Sequence, residues 1–577
     1  MRISFIQDIV YWYALDYLYT GNTANLDKVI NAMDHAIDQG FAYGSGQGTN
    51  HHYGYQVRNL YKGIWILREP LEKAGKMEEY LRALSYWSGL QEVRMPYEQT
   101  RDGILDAWHT LHNCRVVSAM LPKDDDRKYA YMKALGEWTS GSLHFTDGTV
   151  GGIKMDGTSF HHGGHYPGYS VGAFAALGEF IRLCHGTDFQ IDEESRGYFK
   201  KALMAMYDYT NGRDWGIGVC GRHPFNGSIP DADVETYAQL ALLGDLSASG
   251  LAVDPALAGA YIALGGKDKA ALSTFKKAGI KAKAAPEGFR VYNYGAFGVH
   301  RRDGWMITLK GYNSDVWCSE IYAADNRYGR YQSYGSAQII LPSGAKASGY
   351  AQEGWDWNRY PGITSIHLPF DLLENPLKGT LMERNSSRFP GVSSLEGENG
   401  CLAFTYTESD RKNFCPGATA TKSVFCFDNR IIHIGTGISN NSQYPTETTI
   451  YQLRLEDKDA HVVKDGITGI TAYISYRGYS SEQTLAAEIE KETIVMERDR
   501  GDGTVVMSVC TPDLGITKKG YTTSQPSQPL TKEIKLNGKY VLVGENDAVK
   551  AEDSEKGTKL SVSCINGQPV EFIIKKS

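Results

Sequence analysis

The sequence predicts a multidomain α+β protein in which a helical first half is followed by a long β-rich second half. Apolar residues recur at the i, i+3, i+4 spacing of amphipathic helices up to about residue 264. From Phe289 onward the pattern changes to the alternation of half-buried strands. A chain of 577 residues is long enough for two to four domains. Because the strands follow the helices instead of alternating with them, we expect separate helical and β domains rather than βαβ units.

Several stretches of the first half carry the helical pattern, and clusters of Gly, Asn and Asp separate them. The predicted helices run from Ile6 to Tyr19, Leu26 to Ile37, Met77 to Leu90, Asp126 to Trp138, Val171 to Leu183, Ser195 to Tyr209, Val234 to Leu243 and Ala256 to Leu264. Their short, repeated intervals predict a stack of helical hairpins whose loops form a cleft at one end. The lysine-rich segment of small residues from 265 to 285 is interpreted as the junction to the β-rich half.

Strands are predicted in the second half wherever apolar, β-branched and aromatic residues form short runs. They include Phe289 to Tyr292, Ala296 to His300, Met306 to Leu309, Gln338 to Leu341, Lys422 to Phe425 and Arg430 to Ile434. Asp303-Gly304 lies between two of these runs and is typical of a two-residue hairpin turn. Asn537-Gly538 and Asn566-Gly567 are predicted to be turns as well.

The composition is that of an ordinary globular protein. The formal net charge of −7 argues against a broad nucleic-acid-binding surface. The sequence contains no run of eighteen apolar residues, so no transmembrane helix is predicted. The first residues lack the basic and apolar regions of a signal peptide. The nine cysteines are scattered without a CxxC pair, so we expect mostly reduced, buried thiols.

The segment from Ser159 to Tyr169 concentrates more proton-transfer chemistry than any other part of the chain. Three imidazoles and two phenols lie among glycines and a proline, which favour a fixed loop over a helix. One such group can take a proton that another returns, so we interpret the segment as a proton-transfer loop. A structural role and a metal site are the plainer alternatives. The H-H-x-x-H spacing lacks the glutamate of the helical HExxH zinc motif, which weakens the metal alternative.

Four further segments carry candidate functional side chains. The segment from Gly221 to Asn226 places an arginine beside a histidine, and the one from Glu320 to Tyr331 is dense in charge and phenol. The segment from Gly354 to Gly362 holds two tryptophans and an arginine, and the one from Leu111 to Arg115 lies on or near a helix. Each is weak evidence alone, because a buried arginine is usually paired and a tryptophan is largely buried in most proteins.

Together these segments resemble the successive signatures of the polysaccharide lyases typified by chondroitinase ABC. They read, in the same order, HHGGHYPGY from residue 161, GRHPFN from 221, EIYAADNRYGRYQSYG from 320 and GWDWNRYPGIT from 354. FPGVSSLEG from 389 and TPDL from 511 extend the likeness towards the C-terminus. The resemblance covers the chain from about Asp102 to its end.

This resemblance, to polysaccharide lyase family 8, implies three domains. They are an incomplete (α/α) toroid of helical hairpins at residues 1–280, a large antiparallel β-sandwich domain at 281–485 and a smaller C-terminal β domain at 486–577. The broad-specificity members carry an N-terminal jelly-roll module and earlier toroid helices that have no counterpart in this sequence. We therefore expect either a compact relative or a fragment.

The resemblance also implies a reaction, β-elimination next to a uronic acid, and four catalytic residues: His162, Tyr169, Arg222 and Glu320. Tyr169 is expected to act as base and acid on glucuronate, and His162 to remove the C5 proton of iduronate. An unperturbed tyrosine, with a pKa of about 10, is a weak base at neutral pH, so Arg222 is expected to lower the pKa of Tyr169. Glu320 is expected to orient Arg222 or His162.

A second group of residues is expected to bind the substrate, an acidic polysaccharide such as chondroitin sulfate, dermatan sulfate or hyaluronan. Asn113 lies 49 residues before His162, as the carboxylate-binding asparagine does in related chondroitin AC lyases. The other candidates are Trp108, His161, His165, His223, Asn326, Arg330, Trp357 and Arg359. The cationic side chains suit carboxylate and sulfate groups and the tryptophans suit sugar faces, although a place in the core is about equally expected for Trp357.

The chemistry requires no cofactor and we assign no metal ligand, although the resemblance leaves room for a structural divalent cation. We expect a monomer that is secreted or periplasmic, without nucleic-acid or membrane partners. Two rival hypotheses are a glycoside hydrolase on a helical toroid and a non-catalytic glycan-binding protein. A hydrolase needs two carboxyl groups beside the bond, and the loop offers histidines and tyrosines instead. A binding protein has no need of all four catalytic residues.

Overall fold

The chain divides into two compact units. The computed structural model describes residues 3–99, 102–245, 250–302, 304–322, 326–352, 355–374, 380–388, 390–411, 413–427, 430–444 and 446–454, and the backbone of ten strands between 462 and 575. The helical unit consists of residues 1–162, 169–204 and 229–284. The β unit consists of residues 163–168, 205–228 and 285–577.

Helices dominate the first half of the chain, as the sequence predicts. They are α1 (Ile3–Thr20), α2 (Ala24–Asp38), α3 (Asn50–Ile66), α4 (Arg68–Lys73), α5 (Met77–Trp87), α6 (Ile104–Asp106), α7 (His112–Met120), α8 (Asp125–Ser142), α9 (Pro167–Cys184), α10 (Glu193–Asp208), α11 (Asp231–Ala241), α12 (Pro255–Ala263), α13 (Lys269–Lys277) and α14 (Phe370–Leu373). A π-helical stretch, Ala107–Leu111, joins α6 to α7. None of the helices in the described part of the chain is both long and apolar enough to cross a bilayer.

The helical unit is built on close contacts between neighbouring helices. Val10 of α1, Leu60 of α3 and Leu84 of α5 are fully buried in one shared core. A Cβ added to Gly63 of α3 would lie 2.9 Å from Cγ1 of Val10 and 3.0 Å from its carbonyl oxygen. The backbones therefore approach so closely at this point that a larger residue would push the two helices apart.

Strands dominate the second half of the chain, and three short strands lie in the first half. They are β1 (Gly152–Ile153), β2 (Ser159–His161), β3 (Gly164–His165), β4 (Gly288–Tyr292), β5 (Phe297–Arg302), β6 (Trp305–Lys310), β7 (Glu320–Tyr322), β8 (Ser336–Ile340), β9 (Thr364–Ile366), β10 (Thr380–Met382), β11 (Pro390–Leu395), β12 (Asn399–Thr407), β13 (Thr419–Phe427), β14 (Arg430–Ser439), β15 (Thr446–Arg454), β16 (Val462–Asp465), β17 (Gly469–Ile474), β18 (Gln483–Ala487), β19 (Thr493–Arg498), β20 (Thr504–Thr511), β21 (Tyr521–Ser524), β22 (Lys539–Gly544), β23 (Val549–Ser554), β24 (Gly557–Ser563) and β25 (Pro569–Lys575).

The β unit holds several sheets whose pairings are antiparallel apart from β21–β22, which is parallel. The sheet orders are β4-β5-β6-β8, β10-β7, β19-β20-β15-β9, β23-β24-β25 and β11-β12-β13-β14-β22-β21-β18-β17-β16. Arg302 of β5 pairs with Trp305 of β6, which confirms the predicted two-residue hairpin. The two Asn-Gly turns predicted further on lie outside the described residues.

One apolar core joins the sheet of β4, β5, β6 and β8 to strands β11, β12 and β13. Phe289, Leu309 and Phe404 are buried in this core. A Cβ added to Gly400 would lie 2.3 Å from the ring of Phe289, so these strands meet at close range. The cysteines that the structure describes are free thiols, most of them buried, as expected from their scattered spacing.

Candidate active site

The predicted proton-transfer loop, from Ser159 to Tyr169, contains the short strands β2 and β3 and ends in the first turn of α9. His162 and Gly163 both adopt left-handed backbone conformations, with φ of 52° and 76°. A positive φ is uncommon for a residue other than glycine and persists only where neighbouring contacts hold it. Pro167 opens α9, where a missing amide proton costs no helical hydrogen bond. The chain therefore presents His162 at a sharp turn and Tyr169 on a helix.

In the helical unit, three aromatic rings of this loop form one cluster. The ring of His161 lies 4.0 Å from that of His162 and 4.0 Å from that of Tyr169, centroid to centroid. The rings of His162 and Tyr169 are 5.2 Å apart at an angle of 63°. His161 is 1% exposed, whereas His162 and Tyr169 are half-buried. The structure thus brings two of the predicted catalytic residues together against a buried histidine.

A buried carboxylate that sequence reasoning missed supports this ring cluster. Asp106, at the end of α6, lies 3.4 Å from Nε2 of His161 and accepts a 2.7 Å hydrogen bond from the hydroxyl of Tyr55. Nε2 of His51 lies 3.9 Å from Oδ2, the same carboxylate oxygen that His161 approaches. Burial raises the pKa of Asp106, but the interactions with His161, Tyr55 and His51 outweigh it and lower the pKa to about 2. Asp106 is therefore a carboxylate throughout the neutral range.

Tyr55 and His109 complete the surroundings of Asp106. Burial, followed by the hydrogen bond to Asp106, raises the pKa of Tyr55 far above its ordinary value, so Tyr55 keeps its proton and donates it. The ring of His109 stands edge-on to that of Tyr55 at 5.4 Å. His109 lies in the π-helical stretch, a local irregularity often found at functional sites. Burial lowers the pKa of His109 to about 4, so it is neutral at neutral pH.

Helix α9 breaks two residues after Tyr169. Val171 and Gly172 leave the helical conformation, with ψ of 143° at Val171 and φ of 77° at Gly172. The amide of Gly172 donates a 2.8 Å hydrogen bond to Oδ1 of Asp233, which is 3% exposed. Burial raises the pKa of Asp233 to about 7. A Cβ at Gly172 would lie 2.6 Å from Nε2 of His109, so the break also depends on glycine.

In the β unit, the other two predicted catalytic residues meet at Tyr166. Its hydroxyl donates a 2.8 Å hydrogen bond to Oε2 of Glu320 and accepts a 3.1 Å hydrogen bond from the backbone amide of Arg222. Nη1 of Arg222 lies 3.7 Å from the same oxygen of Glu320, which is 1% exposed. The guanidinium of Arg222 also stacks 4.9 Å from the ring centroid of Tyr322. Tyr166 thus fixes both the backbone of Arg222 and the carboxylate beside it.

Two predicted substrate-binding residues of the β unit are buried and hydrogen-bonded within it. The amide of Asn326 donates to the carbonyl of Glu320 at 3.0 Å and its oxygen accepts from the amide of Tyr322 at 2.8 Å. The guanidinium of Arg330 donates to two backbone carbonyls, at 2.7 and 2.9 Å. The contacts of Asn326 stabilise the chain around Glu320, those of Arg330 join it to the carbonyls of Asn413 and Leu372, and substrate contact by either side chain stays a prediction.

Arg359, predicted to bind substrate, belongs to a buried ion-pair network. Its guanidinium donates to Glu447 at 2.7 and 3.0 Å and to Asp356 at 2.9 Å. His367 contacts the same carboxylate of Glu447 at 3.0 Å. Two carboxylates therefore neutralise the charge of Arg359, and its expected use as an anchor for carboxylate or sulfate stays a prediction.

The remaining candidates of the β unit differ in their exposure. His165 is buried between Tyr209 and Phe297, and burial, with the charge of Lys310 as a smaller cause, lowers its pKa to about 3. His223 is exposed, and Trp357 is half-buried. Of the three, His223 and Trp357 expose surface that a ligand can reach.

Two candidates of the helical unit are held by neighbouring helices. Trp108 is fully buried and its indole nitrogen donates to the hydroxyl of Ser142 at 3.0 Å. Asn113 is half-buried and its amide donates to Glu179 at 3.1 Å. Their roles in substrate binding stay predictions.

The four predicted catalytic residues therefore form two pairs, His162 with Tyr169 in the helical unit and Arg222 with Glu320 in the β unit. The first pair can exchange protons, because both side chains titrate and both are half-buried. In the second pair, the carboxylate of Glu320 holds the guanidinium of Arg222 in place. Within the described residues, no three His, Cys, Asp or Glu side chains are grouped closely enough to hold a metal ion.

Two domain models match the chain. Residues 19–271 match a lyase catalytic domain, and residues 287–495 match the super-sandwich domain of polysaccharide lyase family 8. The chondroitin sulfate ABC endolyase of Proteus vulgaris is 30% identical over 656 aligned positions, which cover 93% of this chain and 63% of the relative. The chondroitin sulfate ABC exolyase of Bacteroides thetaiotaomicron is 33% identical over 75% of this chain and 45% of the relative. The chain thus spans only part of the length of each of these relatives.

Solved structures share the fold at low sequence identity. A xanthan lyase from Paenibacillus has a TM-score of 0.69 at 16% identity and is matched over 97% of this chain and 56% of its own. A chondroitin AC lyase from Streptomyces coelicolor, solved with chondroitin sulphate, has a TM-score of 0.65 at 16% identity, over 88% of this chain and 72% of its own. At this identity the likeness establishes the fold alone.

Proposed function

Because this chain belongs to polysaccharide lyase family 8, we propose that it is a glycosaminoglycan lyase that cleaves the 1,4 bond to a uronic acid by β-elimination. The observation that carries the proposal is the ring cluster of His161, His162 and Tyr169, supported by a buried carboxylate. Two half-buried titratable side chains, 5.2 Å apart on a strained turn and a helix, suit proton abstraction and return.

The reaction removes a proton from C5 of the uronate and breaks the bond between C4 and the glycosidic oxygen. The C5 proton is a weak acid because the neighbouring carboxylate already carries a charge, so the anion that forms needs stabilisation. Its electron pair becomes the double bond between C4 and C5, and the leaving oxygen takes a proton. The products are a 4,5-unsaturated uronate and a new hydroxyl end.

We assign the proton transfers to Tyr169 and His162. Tyr169 is the base and then the acid on glucuronate, where proton and leaving group lie on the same face of the sugar. His162 is the base on iduronate, with Tyr169 as the acid. The left-handed backbone of His162 supports this assignment, because backbone strain of this kind is concentrated at functional sites.

Arg222 and Glu320 supply fixed charge to the same reaction. The guanidinium of Arg222 stabilises the anionic form of the reacting groups, and the buried carboxylate of Glu320 orients it from 3.7 Å. Tyr166, which is hydrogen-bonded to both residues, has a pKa raised by burial and by Glu320, so it stays protonated as a donor.

The substrate is an acidic polysaccharide, and chondroitin sulfate is the first candidate because the similar endolyase and exolyase are named for it. Dermatan sulfate and hyaluronan are the further candidates. Dermatan sulfate is included because we assign His162 as the base on iduronate. A secreted or periplasmic location, a monomeric state and the lack of a required cofactor stay predictions.

Replacing Tyr169 tests the proposal. Tyr169→Phe is expected to lower turnover of chondroitin sulfate by roughly 10²–10⁴-fold, because it removes an acid–base group. Turnover is followed by the ultraviolet absorbance of the unsaturated uronate, and binding of the polymer is measured in parallel and should persist. Tyr19→Phe is the matched control, since Tyr19 is 83% exposed in the same unit.

The two rival functions give different results in the same assay. Reducing ends without unsaturated uronate would identify a hydrolase. Polymer binding without either product would identify a glycan-binding protein. Full turnover by Tyr169→Phe would refute the role of Tyr169 in elimination.

A further inference from the structure

The segment from Lys267 to Lys283 is the most positively charged short stretch of the helical unit. It carries six lysines and a single acidic residue, Asp268, within a chain whose formal net charge is −7. It lies within the stretch from 265 to 285 that is predicted to be the junction to the β-rich half. Nine of its residues, Lys269–Lys277, form α13, and the helical unit ends just after the segment, at residue 284.

The fold holds this segment rigidly by its apolar face. The carboxylate of Asp268 caps α13 by accepting hydrogen bonds from the amides of Ala270 and Ala271 at 2.7 and 3.1 Å. Phe275 is fully buried and its ring packs edge-on against Tyr261 at 5.8 Å. The side chains that face the core thus fix the orientation of those on the opposite side of the helix.

The lysines lie on the exposed side. Lys269, Lys276 and Lys277 project from α13, away from Ala271 and Phe275. After the helix the chain turns at Gly279, and the amide of Lys283 donates to the carbonyl of Gly259 at 2.9 Å. This contact ties the chain that follows α13, including the exposed Lys281, to helix α12.

Few of these charges are neutralised within the protein. Lys267 pairs with Asp231 at 2.8 Å. Among the residues that the structure describes, Lys269, Lys276, Lys277 and Lys281 have no ion-pair partner. Like charges held close together repel one another, which favours a bound polyanion. An ordinary solubilising surface intersperses lysines with acidic residues instead.

We propose that this lysine face, defined as Lys269, Lys276, Lys277 and Lys281, binds the acidic polysaccharide at positions distinct from the residues that perform elimination. The proposal rests on the proposed function, because it takes the polymer substrate as the ligand. Lysines are flexible point charges without a fixed hydrogen-bonding geometry, so they suit a chain of repeated carboxylate and sulfate groups better than one defined small anion. The lysine face raises the affinity for long chains and leaves the chemical step unchanged.

The test compares two triple variants of the full chain. Lys276→Gln, Lys277→Gln and Lys281→Gln together remove three charges from the lysine face. The control combines Lys123→Gln, Lys128→Gln and Lys133→Gln, three lysines of the same unit that pair with Glu72, Asp125 and Glu137. Both variants change the net charge equally.

The probes are immobilised chondroitin sulfate for binding, and polymeric chondroitin sulfate and a chondroitin tetrasaccharide for turnover. At low salt we expect the lysine-face variant to bind the polymer roughly five- to tenfold more weakly and to show a similarly raised KM for the polymer, with unchanged kcat. Turnover of the tetrasaccharide should match that of the wild type. At roughly 0.3 M salt the difference in binding should largely vanish, because screening removes it.

Several outcomes would overturn the inference. They are wild-type binding and KM for the polymer, an equal loss in the control variant, and a loss of tetrasaccharide turnover, which would place the lysines in the cutting site. An unfolding midpoint equal to that of the wild type shows that folding is intact. If the proposed function is wrong, the wild-type protein will give no unsaturated product. The binding measurement then still tests whether the lysine face binds the polymer.

Discussion

Asp106 offers the sharpest test of how the helical unit holds the reacting side chains. Its carboxylate is 7% exposed, contacts His161 at 3.4 Å and accepts the hydrogen bond of Tyr55 at 2.7 Å. The folded protein lowers the pKa of Asp106 from 3.8 to about 2. A difference of roughly two pKa units corresponds to about 2–3 kcal/mol of folding free energy at neutral pH.

We therefore expect Asp106→Asn to lower the free energy of unfolding by about 2–3 kcal/mol at pH 7, because the amide resembles the protonated acid. A lowered carboxyl pKa contributes stability above pH 3.8 that is lost as the pH falls through about 2. The gap between wild type and variant should thus shrink to about half near pH 3. Urea unfolding at pH 7 and at pH 3 measures this difference in the free energy of unfolding.

The same variant should reduce turnover, because His161 loses the partner that holds it between His162 and Tyr169. A displacement of about 1 Å can cost roughly 10²-fold in rate, so we expect a fall in kcat of that order with a smaller change in KM. Asp34→Asn is the control. Asp34 also accepts a tyrosine hydrogen bond, from Tyr80 at 2.7 Å, but its side chain is 39% exposed and it contacts no ring of the loop.

Two results would refute the reasoning. Unchanged stability of Asp106→Asn at pH 7 would show that the carboxylate is not stabilised by its neighbours. An equal fall in kcat for Asp34→Asn would show that the effect is a general response of the helical unit.

The other two predictions concern the break in α9 and the β unit. Burial raises the pKa of Asp233 from 3.8 to about 7, so the stability that it contributes is complete below pH 3.8 and is lost as the pH rises through 7. Asp233→Asn should reduce the change in the free energy of unfolding between pH 5 and pH 8. An unchanged dependence on pH would contradict the raised pKa of Asp233. Tyr166→Phe removes the 2.8 Å hydrogen bond to the buried Glu320 and should cost about 1–3 kcal/mol in urea unfolding at pH 7. A loss below about 0.5 kcal/mol would show that Glu320 is satisfied without the hydroxyl.

The proximity of His162 and Tyr169 was predictable from sequence because both lie in one short segment. His162 and Tyr169 are seven residues apart, and glycine and proline between them predict a loop that brings side chains together. Asp106 and Tyr55 were not predictable, because they are 51 residues apart and neither stands in a motif. Their hydrogen bond depends on how α3 packs near α6, which periodicity within either helix does not specify.

Helix α3, over which the sequence predicts no helix, and the break in α9 both depend on tertiary contacts of glycines. Gly54 and Gly63 reduce the helical propensity of α3, yet in the folded protein they allow close contact with Thr110 and Val10. The pattern from Val171 to Leu183 predicts a continuous helix, whereas α9 begins at Pro167 and breaks at Gly172. Tertiary contacts with Asp233 and His109 account for that break, and they lie far along the chain.

The segment that carries Tyr169 is therefore held by two carboxyl groups whose pKa values are shifted in opposite directions. Asp106 supports it through His161 and is ionised above about pH 2, whereas Asp233 supports it through Gly172 and changes charge near pH 7. A change in turnover near neutral pH can consequently arise from the break in α9 as well as from the reacting groups. If a limb of the pH–rate profile disappears in Asp233→Asn, ionisation of Asp233 at the break in α9 causes it. If the limb persists, ionisation of the groups that transfer the proton causes it.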